Sequence, residues 1–422
     1  MALPTEPIVL DPTGARAHDE HRLLRGHGKA VRVDILGVRA WSVADPALLK
    51  ELLTSPSVSK DARAHWPEFG DVVQRWPLAL WVAVENMFTA YGADHRRLRR
   101  MIAPAFSHRR ITALGESIDA VVTGILDRLD ALPPGEIVDL REHLAYPLPI
   151  AVVSRLMGVP EEQQDSFRRV VDGVFDTTLT TEESEANTKA LYEALQLLID
   201  SKRTEPGDDM TSLLISSRDE DAEGGAEAES AGGKKGALSE DELRDTLLLM
   251  ISAGYETTVN VIDQAVTQLL THPEQLALLR SGQVDWNDAV EETLRFEPAV
   301  RHLPMRFAVT DIELPDGQTI PRGEAILASY AAANRHPDWH GENADSFEVT
   351  RTVKDHLAFG HGVHFCLGAP LARLEVSTAL RLLFDRFPQL ELAVPVRELK
   401  PLGSLLSNGH QSLPVRLRPA VG

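Results

Sequence analysis

The sequence predicts a mainly α protein with a minor β portion. Three observations carry this. Ser239 and Glu242 form an S-x-x-E capping pattern, and the helical periodicity they open runs to about Thr271. Residues 94–200 are mostly helical in pattern, with breaks at Pro-rich points such as Leu132-Pro133-Pro134-Gly135. β-favouring runs are confined to residues 30–43 and 306–329.

Residues 30–43 read as a hairpin, with AVRVDI and VRAWSV flanking Leu36-Gly37. Residues 217–236 (SRDEDAEGGAEAESAGGKKG) are polar, Gly/Ala-rich and mixed in charge. The helices on either side are alike, so this stretch is expected to be a mobile surface loop within one domain spanning 1–422. The helix opened by Ser239 has about 33 residues and a length of about 50 Å, enough to cross a domain. Its interior carries Ala253-Gly254, where glycine costs about 1 kcal/mol relative to alanine. Residues 306–329 turn at Pro315-Asp316-Gly317. Pro370 sits in the first turn of a last helix running to about Phe387.

The 422 residues include 43 Lys plus Arg against 63 Asp plus Glu, a net charge of −20. That balance argues against a nucleic-acid or anionic-membrane partner for the chain as a whole. Hydrophobic residues at 43% and charged residues at 25% fit a globular chain with a large core. The single cysteine, Cys366, rules out an intramolecular disulfide and fits a reducing compartment. Residues 1–10 lack the basic and apolar segments of a secretory signal. No apolar run approaches the ~18 residues of a membrane span. The expectation is a soluble, cytoplasmic protein, monomeric by default.

Cys366 stands in His356-Leu-Ala-Phe359-Gly360-His361-Gly362-Val-His364-Phe365-Cys366-Leu-Gly368-Ala-Pro370. Three glycines crowd a sulfur just before a helix. The helix start favours a thiolate, and the glycines let a flat ligand approach the backbone. A lone thiolate on such a loop suits an iron that already has four equatorial ligands. Two other readings stand beside it. A free cysteine is often a small buried core residue. Alternatively, His361, His364 and Cys366 make three ligands of a zinc site, although no second ligand pair follows.

The run Phe359-Gly360-x-Gly362-x-His364-x-Cys366-x-Gly368 resembles the haem-binding loop of the cytochrome P-450 family. The resemblance extends, in order, over nearly the whole chain. It implies the fold of that family, with haem b (iron protoporphyrin IX) between the long helix and the cysteine loop. Ala253-Gly254-Tyr255-Glu256-Thr257-Thr258 is similar to the family's oxygen-activating signature, with Glu256 and Thr257 as the acid–alcohol pair that relays protons. The plain alternative is a Thr257 hydroxyl bonded back to its own helix and a solvated Glu256. Glu292 and Arg295 match E-x-x-R, and Arg351 matches the arginine that completes this structural network. His95, Arg99, Arg306 and His364 match contacts to the haem propionates, because buried carboxylates require opposing donors. Arg96, Arg97 and Arg100 are expected on a solvated face. With Arg109 and Arg110 they form the most basic cluster, a candidate docking patch for an acidic electron donor.

The reaction this implies is insertion of one atom of O2 into a substrate C–H bond. Nothing resembles an attached reductase, so electrons are expected from a ferredoxin and its NAD(P)H-dependent reductase. The acid–alcohol pair speaks against the family's peroxide-dependent oxygenases, and the third reading is a haem sensor without turnover. The resemblance is to an actinobacterial subgroup acting on steroids, with macrolactones the other class. It is carried by residues 78–92, 247–258 and 407–411. Candidate substrate contacts are Met87, Phe88, Phe175, Leu249, Ala253, Val300, Leu303, Leu406 and Gln411, mostly apolar as a steroid-sized ligand requires. Gln411 is the candidate donor to a distant ketone.

Overall fold

The computed structural model describes residues 6–223 and 237–419. Helix takes 55% of the chain and strand 11%, so the layers that decide the shape are helical. The strands gather in a six-stranded sheet built from β1 (Ile8–Val9), β2 (Ala30–Ile35), β3 (Val38–Val43), β4 (Val58–Ser59), β5 (Leu303–Ala308) and β6 (Ala325–Ala328), in the order β1-β2-β3-β6-β5-β4. The hairpin forms as expected. Ile35 pairs with Val38, and Leu36 and Gly37 take φ of 53° and 86°. Two left-handed residues give the turn a twist that matches its strands. The turn at Asp316 and Gly317 joins the short antiparallel pair Ile312–Glu313 and Thr319–Ile320. A three-stranded sheet from Ile137–Asp139, Glu391–Leu392 and Pro414–Arg416 closes the other side.

Glu240–Thr271 is the central helix, 32 residues long. Both halves of its capping box form: Glu242 N–H donates to Ser239 Oγ at 3.0 Å and Ser239 N–H to Glu242 Oε2 at 2.9 Å. It is buried along most of its length rather than on one stripe, which a helix ringed by other helices requires. Its neighbours are Pro147–Met157, Thr181–Thr204, Trp286–Phe296 and the cysteine helix Ala369–Arg386.

One expectation is corrected. The helix Met210–Glu223 takes in the first seven residues of the stretch 217–236 that were expected to be loop; residues 224–236 lie outside those described. None of the described helices is long and apolar enough to cross a membrane.

Candidate active site

The cysteine loop is shaped by its glycines. Gly360 and Gly362 both have φ of +72°, a conformation that other residues adopt only under strain. A Cβ on Gly362 would also lie 2.7 Å from Leu53 O. Cys366 N–H donates to Phe359 O at 2.9 Å, and Gly368 caps the cysteine helix. A Cβ on Gly368 would stand 3.8 Å from the Cys366 sulfur.

The sulfur opens onto a cavity rather than onto bulk water. Burial pushes the Cys366 thiol up, while the Gly368 and Ala369 N–H groups and the Arg99 and Arg373 charges pull against that. The two N–H groups at the helix start favour the thiolate as expected, and a bound cation would add to their effect.

The cavity has a volume of about 280 Å³. Thr257, Ala253 and Gly254 line it on the central helix; Cys366, Phe359, Gly360, His364 and Gly368 line it on the cysteine loop. Met87, Phe88, Phe175, Leu249, Val300 and Leu303 add apolar walls. Two expected contacts are not there. Leu406 is 1% exposed in the core beneath the sheet, packed with residues such as Leu405 and Met305. Gln411 is exposed and its side-chain amide donates to Pro401 O at 3.2 Å. Leu405 and Leu406 pack under the sheet and Gly409 and His410 against the central helix, so none of residues 402–411 lines the cavity, although Val300, bridged to Ser407, does. Gly254 is also explained differently: a Cβ there would meet Val153 Cγ2 at 2.9 Å, so it permits close helix packing as well as space in the cavity.

At one end of the cavity, donors lack acceptors. His95 is 3% exposed, its ring centroid 4.1 Å from that of His364, and its Nε2 has no partner among the described residues. Arg306 is 4% exposed; its Nη2 reaches the Tyr330 hydroxyl at 3.4 Å and its Nη1 has no partner among the described residues. Arg99 donates to Phe365 O at 2.7 Å, one residue from the sulfur. Burial, reinforced by nearby cations, lowers His95 to about 4 and drives His364 down as well. Such a corner lacks anions. Two carboxylates would satisfy the orphaned His95 and Arg306 atoms. Haem fits here: a sulfur at one face, apolar walls, glycines where a flat ring meets backbone, and unpaired donors for its propionates.

Glu292 and Arg295 are both fully buried, with Arg295 Nε and Nη2 donating to the carboxylate at 2.8 and 2.7 Å. Arg351 Nε reaches the same carboxylate at 3.4 Å. The two guanidinium groups gather the carbonyls of Asn343, Ala344 and Ser346. Thr257 Oγ1 donates to Ala253 O at 2.7 Å. Glu256 is not solvated: it is 3% exposed, faces away from the cavity, and accepts from Asn260 at 2.9 Å and Arg141 at 3.3 Å. Burial and nearby anions push it up to about 7 against the pull of Arg141.

The zinc reading does not hold. The ligand atoms of His361, His364 and Cys366 do not converge; among the described residues the group that does is Asp45, His336 and Asp338. Arg97 is also corrected: it pairs with Glu242 at 2.5 Å and Asp94 at 3.7 Å instead of lying on a solvated face. Arg96, Arg100, Arg109 and Arg110 are exposed and make no ion pair among the described residues. Among the lining residues that the sequence reading missed are Lys60 and Glu375. Lys60 is 3% exposed, held low by burial and Arg306, with Nζ 3.5 Å from the Phe88 ring centroid; no spacing signals it. Glu375 is 1% exposed, its Oε2 has no partner among the described residues, and burial lifts it to about 8. Its spacing of four from Leu371 was a readable signal that it shares that residue's buried face.

The fold and this cradle define a haem-thiolate oxygenase. The chain belongs to the cytochrome P450 family, whose model, "Cytochrome P450", matches residues 14–281 and 286–408; it is a cytochrome P450 monooxygenase. CYP154A1 of Streptomyces coelicolor A3(2) is 68% identical with a TM-score of 0.92, covering 97% of this chain and 100% of that one. Testosterone-bound CYP154C4 from Streptomyces sp. ATCC 11861 is 36% identical with a TM-score of 0.91, over 99% and 100%. The 2-hydroxy-5-methyl-1-naphthoate 7-hydroxylase of Streptomyces carzinostaticus is 40% identical over 415 residues, 98% of each chain.

Proposed function

We propose that this monooxygenase hydroxylates a rigid, apolar, fused-ring molecule of the steroid class, with electrons from a ferredoxin and its NAD(P)H-dependent reductase. The observation that carries the substrate class is the cavity, where Met87, Phe88, Phe175, Leu249, Val300 and Leu303 are apolar and the hydroxyl residues from the central helix are Ser252, Thr257 and Thr258. Apolar walls bind by area and hold a rigid ligand in few poses. The steroid-bound and naphthoate-acting relatives, whose ligands are also fused rings, support the class.

Haem b, when bound through Cys366, supplies the activation of dioxygen, and the thiolate's electron donation favours O–O cleavage. The chain supplies the rest. His95, Arg306, His364 and Arg99 would hold the propionates, and Lys60 stands on the cavity wall as a further donor. Glu292, Arg295 and Arg351 fix the segment leading into the cysteine loop. The Thr257 hydroxyl turns from Ala253 O toward the cavity to pass a proton, and Glu256, on the far face of the helix, replenishes it by turning from Arg141. Residues 1–422 act as one domain and one soluble, cytoplasmic monomer. The exposed arginines Arg96, Arg100, Arg109 and Arg110 steer an acidic partner toward the face where Val363 is 62% exposed, three residues from the sulfur.

The first test is the absorption spectrum of the reduced, carbon-monoxide-treated protein, where a strongly red-shifted Soret band reports the Cys366 thiolate. The second is titration with a steroid panel: a low- to high-spin shift supports the substrate class, and an unmoved spin state across the panel removes it. For the partner, R100E and R109E should weaken the salt dependence of electron transfer from ferredoxin. An unchanged dependence counts against this docking face.

A further inference from the structure

Behind the central helix, away from the cavity, lies a buried group of charges. Glu256, Asn260 and Asp263 are spaced four and three residues apart, so one helix face carries two carboxylates and an amide. Arg141, 1% exposed, enters this face from the turn Arg141–Ala145. Its Nη1 donates to Asn260 Oδ1 at 2.8 Å and Asp263 Oδ2 at 2.9 Å. Its Nη2 donates to the Tyr146 hydroxyl at 3.1 Å and Glu256 Oε1 at 3.3 Å. Asp263, also fully buried, accepts the His410 backbone N–H at 2.7 Å and pairs with His410 Nδ1 at 2.8 Å. The His410 side chain is 14% exposed. Gly409 is what lets that loop come so close: a Cβ there would collide with Asn260 Oδ1 and lie 2.9 Å from Arg141 Nη1.

The charges of this group do not cancel. One guanidinium stands between two carboxylates, and Glu256 Oε2 has no partner among the described residues. The other groups facing it add no cation in contact with either carboxylate. Asp172 accepts from the Tyr255 hydroxyl at 2.9 Å, and burial raises its carboxyl. Burial raises the phenols of Tyr146 and Tyr255, which stay neutral. Arg168 is paired with Glu142 at 2.7 and 2.5 Å and lies over the Tyr146 ring. In a low-dielectric interior the group is therefore one positive charge short. A proton on Glu256 or a proton on the His410 imidazole makes up the difference.

We propose that Arg141, Asp263 and His410 form a charge lever that sets how tightly Glu256 holds its proton, with His410 the end that meets solvent. When His410 is cationic, it satisfies Asp263, and Arg141 is left to stabilise the Glu256 carboxylate. When His410 is neutral, Asp263 draws on Arg141, and Glu256 keeps its proton. A charge at His410 is thus felt at Glu256 through Asp263 and Arg141, without any proton crossing the guanidinium. Arg141, Asp263 and His410 are positioning residues. The lever deepens the reading of Glu256 as the proton source and rests on that reading only for its consequence in turnover.

The test is an infrared pH titration of the haem-loaded protein, following the carbonyl band of the protonated carboxyl that is lost in E256Q. D263N removes the rival for Arg141 and should move the midpoint to lower pH. H410Q removes the compensating cation and should move it to higher pH, each by about one unit, a tenfold change in proton affinity. G409A, which pushes the loop off the group, should follow H410Q and serves if D263N folds poorly. Midpoints that stay put in H410Q and G409A, or variants that all shift the same way, overturn the lever. A merely structural role would lower the urea midpoint without shifts of opposite sign. If E256Q keeps full product yield per electron while these shifts occur, the proton-source reading fails and the lever stands.

Discussion

Replacing Glu292 by glutamine removes one charge and almost no volume, so its effect isolates the charge. In the wild-type chain the carboxylate accepts two bonds from Arg295 at 2.7 and 2.8 Å, the Glu348 N–H at 2.8 Å, and Arg351 at 3.4 Å. Glu292 and Arg295 have no exposed surface and Arg351 is 9% exposed, so solvent cannot take over. In the variant Arg295 would have no anion, and Arg351 only the partly exposed Glu348 at 3.6 Å. Breaking a buried pair from one side costs about 3–5 kcal/mol. At 1.4 kcal/mol per decade, that is at least about a hundredfold more unfolded protein. Urea unfolding of the haem-loaded protein measures the change. Haem retention on a desalting column measures whether residues 343–346, gathered by the same arginines, still hold the cysteine loop. The exposed pair Lys189–Glu193, at 79% and 66% side-chain exposure, is the control: E193Q should change stability by less than about 0.5 kcal/mol. If E292Q unfolds within the range of that control, the charge argument is wrong and packing alone supports the loop.

Three further outcomes are expected. Burial lowers His302 to about 3, and His21 falls well below its ordinary 6.5, so both stay neutral when folded. The unfolded chain then binds more protons below pH 6.5, and stability should drop as pH falls from 6.5 toward 3. H302Q should flatten that slope in urea midpoints measured from pH 7 to 5, and an unchanged slope would assign it elsewhere. Glu375 is lifted to about 8, so the folded chain binds the extra proton between pH 4.5 and 8 and stability falls as pH rises through that window; E375Q should be more stable than wild type at pH 8 and gain little at pH 4.5. Finally, G362A combines a left-handed φ with a 2.7 Å approach to Leu53 O; its haem content after expression should fall well below that of G70A, where a Cβ meets nothing within 4 Å.

Much of the architecture was legible because its signals are local. Ser239 and Glu242 mark the central helix by hydrogen bonds three residues apart, and Leu36-Gly37 marks a turn by the φ values it must adopt. Glu292 and Arg295 meet because helix geometry puts them on one face. The cysteine loop was legible because its glycines, sulfur and helix start are contiguous. The misreadings involve partners far away in sequence. Leu406 and Gln411 were placed at the cavity by position in the chain, and the path of residues 402–411, under the sheet and against the central helix, turns them elsewhere. Arg97 looked like its neighbours, but Glu242, 145 residues on, takes its charge.

From its order of residues alone, this chain determines which segments coil, where they start and stop, and that a single sulfur stands at a helix start among glycines. Those are properties of neighbouring residues and need no partner. Folding in three dimensions decided the electrostatics. It set the thiol at the wall of a cavity, stranded Lys60 and Glu375 beside that cavity, and set Glu256 against Arg141, which is 115 residues away in the chain. A charge takes its energy from everything around it, and most of what surrounds these groups arrives from distant segments.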